Sequence, residues 1–118
     1  MDILITNNPL AKERFEGKFN IAFVDGPLLD VLIAVRNRVH NGHTLLTHPL
    51  SGSVKPNETL YKSVLISRVQ GAVDERSVSV IGECILATQK FAPRAIPERA
   101  FADLQEVDLA LISGALQL

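Results

Sequence analysis

At 118 residues, with a formal net charge of −1 and 47% hydrophobic residues, the chain has the size and composition of one globular domain around a single core. A pI near 6.3, together with only five Phe, one Tyr and no Trp, excludes general nucleic-acid binding, which needs a strongly basic face and aromatic stacking platforms. The single cysteine, Cys84, excludes an internal disulfide and fits a reducing, cytoplasmic location. The run MDILITNNPL lacks the charged and apolar regions of a signal peptide. LLDVLIAV (28–35) is too short to span a bilayer, so no membrane association is expected.

DILIT (2–6) reads as a buried strand that ends at Asn7-Asn8-Pro9. Pro9 suits the first turn of a short amphipathic helix reaching about Glu16, and Gly17 stops it. NIAFV (20–24) is a second strand. Pro27 then opens a longer helix whose apolar residues Leu28, Val31, Leu32, Val35 and Val39 share one face, and Asn41-Gly42 ends it with a left-handed cap. HTLLT (43–47) predicts a third strand, followed by a turn-rich segment to about Lys62 and a fourth strand, SVLIS (63–67). Asp74 is placed to cap a helix over 75–91, with Val78, Ile81 and Ile85 along one face. Pro93 and Pro97 force a connection. Residues 98–118 read as helix, in two pieces meeting near Gln105, and periodicity leaves open a strand at VDLALI (107–112).

Strands alternating with helices predict a single three-layer α/β domain of Rossmann-like type over residues 1–118. Its sheet is expected to be four-stranded, mostly parallel, in the order 2-1-3-4 and flanked by helices. Ligands bind such sheets beyond the carboxyl ends of the strands, where strand order reverses. TNNP (6–9) and the start of the segment 47–61 would then face each other across a crevice.

That segment, THPLSGSVKPNETLY (47–61), concentrates groups suited to an oxyanion: Thr47, Ser51, Gly52, Ser53, Lys55 and Asn57, with His48 and Tyr61 beside them. Thr6, Asn7 and Asn8 would complete the site, although N-capping alone also accounts for Asn8 before Pro9. Residues 31–68 carry five basic side chains against Glu58 alone, which either marks an anionic partner or reflects Arg36 and Arg38 solvating a helix face. Neither GxxxxGK[ST] nor GxGxxG occurs. A serine nucleophile would have to be Ser51 or Ser53 with His48, without the GxSxG elbow. His40 and His43 offer two of the ligands that a metal needs, with no carboxylate or Cys beside them, so neither metal nor cofactor is expected. Cys84, mid-helix beside Ile85, reads as a small buried apolar side chain.

Three stretches together resemble a known family: ILITNNP (3–9), DVLIAVRNRVHNGH (30–43) and HTLLTHPLSGSVKPNETLYKSVLIS (43–67). The chain is similar to the GrdX family, small proteins encoded beside components of the glycine, sarcosine and betaine reductase systems of anaerobic bacteria. Beyond residue 67 the similarity rests on the general pattern, including PERAFADLQEVDLALI (97–112), and Leu60 stands where the family pattern has proline. The resemblance implies a place in anaerobic amino-acid metabolism but no reaction. Reductase chemistry needs redox-active thiols or selenocysteine, and this chain has no CxxC, so the resemblance implies an accessory role. Three roles follow. The first is a binder of a small anionic molecule, phosphate or carboxylate, at residues 6–9 and 47–61. The second is an enzyme on a phosphorylated or carboxylated metabolite, with His48 as base and Lys55 stabilising charge. The third is an interaction module whose segment FADLQEVDLALISGALQL docks on reductase components or on a second copy as a homodimer.

Overall fold

The computed structural model describes residues 1–50, 55–92 and 94–118. In chain order the elements are β1 (Ile3–Thr6), α1 (Pro9–Phe15), β2 (Asn20–Phe23), α2 (Leu28–His40), β3 (Ser63–Ile66), α3 (Glu75–Gln89), a 3-10 turn (Glu98–Ala100) and α4 (Phe101–Leu116). α4 runs unbroken through Gln105, so the segment 107–112 is helix and not strand.

The sheet corrects the expected fold. It has three strands in the order β2-β1-β3, with β1 parallel to β2 and antiparallel to β3. It is a small mixed sheet, not a four-stranded, mostly parallel one, and it lacks the doubly wound arrangement of a Rossmann-like domain. The physical reason lies in the connection after residue 47. A parallel neighbour needs a crossover element, usually a helix, and no helix intervenes between 47 and 63 among the described residues, so the chain returns antiparallel. The expected fourth strand therefore becomes β3, beside β1.

The expected third strand lies outside β3 and makes a single antiparallel bridge, Leu45 to Ile66. Hydroxyl groups replace part of its ladder. The Leu65 amide donates to Thr47 Oγ1 (2.9 Å), the Thr44 amide to Ser67 Oγ (2.8 Å) and the Leu45 amide to Ser77 Oγ (3.0 Å). Side chains that capture backbone donors in this way compete with strand pairing.

Helices cover both faces. Ile5, Val64 and Ile66 face α2 and α3, where Val31, Leu32, Val35, Val39 and Ile81 complete one core cluster. Leu4 and Leu65 face the other way, packing with Ala11 and Phe15 of α1 and Leu109 and Ile112 of α4. This alternation follows from the two-residue period of a strand. The same period puts Thr6 and Ser63, cross-strand partners in the β1–β3 register, on the α4 side of the sheet, where their hydroxyls need polar company.

Candidate functional site

Where β1 ends and β3 begins, a buried polar cluster replaces the apolar core. Asp108, 2% exposed, projects from the packed face of α4. Its carboxylate accepts from Ser63 N (3.1 Å), Ser63 Oγ (2.7 Å) and Asn8 Nδ2 (3.0 Å). Because the Ser63 hydroxyl proton goes to Asp108, Thr6 is the donor in its 2.7 Å contact with Ser63 Oγ. Thr6 Oγ1 in turn accepts from the Asn8 amide. Asn8 caps α1 by accepting from the Leu10 amide and also donates to the Gln105 carbonyl, and Gln105 Nε2 donates to the Tyr61 hydroxyl (3.1 Å). Every polar group in this cluster has a partner, as burial requires. Asp108 had no flag in the sequence beyond being one charge inside VDLALI, four residues before the buried Ile112.

Asn7 occupies the adjoining position. Its carboxamide donates to the carbonyls of Gly26 (3.0 Å) and Leu60 (2.8 Å) and accepts from the Lys62 amide (2.9 Å). The structure thus brings Thr6, Asn7, Asn8 and Tyr61 together and joins residues 6–9 to the far end of the segment 47–61. A cleft of about 330 Å³ opens here, walled by Asn7, Phe23, Asp25, Gly26, Leu60 and Tyr61.

The other expected site residues lie elsewhere. Thr47 is committed to β3, and its neighbour His48 is exposed, with Nδ1 accepting from the Leu50 amide (3.1 Å). That bond leaves the proton of neutral His48 on Nε2. Both residues line a second cleft of about 350 Å³ with Thr44, Leu46, Arg76 and Ser77, and Lys55 is not among its walls. Lys55 is exposed. Asn57 lines a third cavity, of about 320 Å³, between the start of α2, Leu60, Thr88, Phe91 and Arg94. Ser51, Gly52 and Ser53 lie outside the described residues.

Three ionisable groups are displaced from their ordinary range. Burial pushes the Lys62 ammonium down, and the Asp108 carboxylate opposes this. Burial pushes the Cys84 thiol up, with Glu83 adding to the shift, while the Leu50 N–H and Lys62 oppose it. The hydroxyl and amide of Ser77 hold Asp74, the cap of α3, below the usual carboxylate range. Among the described residues no group of three or more His, Cys, Asp or Glu could hold a metal, and no helix is long and apolar enough to cross a membrane.

The model of the family described as GrdX-like protein matches residues 3–117, nearly the whole chain. The chain belongs to the GrdX-like family. That membership groups it with glycine reductase-associated proteins, and it spans every element of the GrdX-like fold described above. Neither a curated protein nor a solved structure matches this GrdX-like chain.

Proposed function

We propose that this GrdX-like chain is an accessory protein of a glycine or betaine reductase-type system, and that it holds a small anion, a phosphate or a carboxylate, without transforming it. The observation that carries the reading is the amino end of α2. Its N-cap is Pro27, which has no capping side chain, and the first-turn amides of Leu28 and Leu29 meet no acceptor among the described residues. Such an end concentrates unused donors and the positive pole of the helix dipole. Here it borders the 320 Å³ cavity that also includes Arg94, whose Nη1 reaches Glu58 Oε1 at 3.0 Å while its other donors meet no acceptor among the described residues.

The expected crevice at Asn7 lies next door, and the two share Pro27 and Leu60 as walls. It suits an anion less well. Asn7 has both donors engaged, and the Asp25 carboxylate lines the opening. His48 lines the second cleft, whereas Lys55 lines none of the three cavities described above. Components of the reductase would be the protein partner.

Thermal-shift titration of the whole chain with phosphate and short carboxylates tests the reading. Saturation at about 100 times Kd raises stability by roughly 2.7 kcal/mol. Arg94→Ala should remove the rise. Glu58→Gln, which releases the guanidinium from its competing carboxylate, should strengthen it. A melting temperature unmoved by every anion in the wild-type chain overturns the proposal.

A further inference from the structure

We infer that the occupant of the α2 cavity is a carboxylate bearing a short apolar body, not a compact polar anion such as phosphate. This deepens the anion reading above and rests on it.

The inference comes from the cavity walls. Apolar residues make most of the lining: Leu28, Leu29, Leu60, Phe91 and Ile96, with two prolines. Phe91 is 37% exposed and offers a ring face that a bound molecule would cover. Three of the polar side chains around the cavity are engaged with protein, while Gln89 stands exposed at its edge. The Thr88 hydroxyl donates to the Cys84 carbonyl (2.9 Å), the Thr59 hydroxyl to the Tyr61 carbonyl (3.3 Å) and Asn57 Nδ2 to the Ala92 carbonyl (3.2 Å). Asn57 Oδ1 has no partner among the described residues, but it is an acceptor, and it is too enclosed to meet a ligand. Among the described residues, the donors left for an anion are those of the α2 first turn, the remainder of the Arg94 guanidinium and the Gln89 carboxamide at the cavity edge.

That inventory fits one planar carboxylate and little more. Phosphate presents oxygens on all sides and would leave several facing Leu60, Phe91 or Ile96, where an unpaired charged oxygen is costly. A carboxylate directs its charge one way and leaves its body to the apolar walls. At about 320 Å³ the cavity lies at the small end of ligand sites, which run from roughly 300 to 1,000 Å³. The body is therefore a few carbons long. Small-molecule sites of this kind combine mostly apolar walls with a few placed polar groups.

Calorimetric titration of the full chain with inorganic phosphate and the series acetate, propionate, butyrate and pentanoate provides the test. Each methylene taken from water is worth roughly fourfold in affinity, so Kd should fall at about that rate until the cavity is full. The binding heat capacity should become more negative along the series. Phosphate should bind more weakly than butyrate. Phe91→Gln, at an exposed position, should flatten the series while leaving acetate binding intact. Affinity independent of chain length, or phosphate tighter than pentanoate, overturns this inference and leaves the anion reading standing. Absence of binding by every member overturns both.

Discussion

Both donors and the oxygen of the Asn7 carboxamide are used, and the three bonds reach Gly26, Leu60 and Lys62. One side chain thereby ties the end of β1 to the turn before α2 and to the approach to β3. Asn7→Ala strands the Lys62 amide in a buried place and frees two carbonyls. A buried donor without a partner costs about 1–3 kcal/mol, so a loss of about 2 kcal/mol is expected. Urea midpoints with an unchanged m-value measure it, and a loss under about 0.5 kcal/mol shows that the carboxamide is not holding these segments. At this scale the sequence was half legible. Asn-Asn-Pro after a strand announced a cap, and Asn8 is that cap. It could not announce Asp108, because a lone carboxylate in an apolar helix becomes intelligible only when Ser63 and Asn8 are seen to face it.

Elements were more legible than their arrangement. The four helices follow their apolar spacing and stop signals, and α2 ends as Asn41-Gly42 indicates: Gly42 N donates to Val39 O (3.0 Å) and His43 N to Arg38 O (3.1 Å), a Schellman pattern with Gly42 at φ +103°. Pairing of the strands was less legible, since HTLLT and SVLIS read alike and only the lack of a helix between them betrays an antiparallel return. The C-cap has a second duty that also escaped the sequence. The Gly71 amide donates to the Gly42 carbonyl (3.0 Å), and a Cβ on Gly42 would meet the Gly71 backbone carbonyl oxygen at contact no side chain tolerates. Positive φ and backbone collision act together in Gly42→Ala. Strain of this kind costs about 1–3 kcal/mol at one residue, and the upper end is expected. By contrast Gly71→Ala, with open space around its Cβ position, should be nearly neutral, within about 0.5 kcal/mol. Equal melting temperatures for the two variants would show that the close approach is absent in solution.

Across the whole molecule, two buried groups, Lys62 and Cys84, set opposing alkaline responses. Lys62, displaced downward by burial, releases its proton in the folded state before it does so in the unfolded chain. The unfolded state therefore binds more protons in the interval from its lowered folded value up to the ordinary lysine value near ~10.4, and stability rises with pH there. Cys84 is displaced upward by burial, so the unfolded thiol ionises first. Above the ordinary thiol value near ~8.5 the folded state holds more protons, and stability falls as pH rises. The two slopes oppose, and the wild-type alkaline limb should be shallow. Cys84→Ala isolates the lysine and should make stability climb with pH in that interval. Lys62→Met isolates the thiol and should make stability decline above about 8.5. In acid the sign belongs to Asp74. Held below the usual range by Ser77, it contributes stability above its unfolded value that fades as pH falls through the folded one, and Asp74→Ala should flatten that limb. Denaturation midpoints of the four proteins at pH 3, 7, 8.5 and 10 decide the matter. Parallel alkaline limbs for wild type, Cys84→Ala and Lys62→Met would show that neither buried group titrates differently on folding.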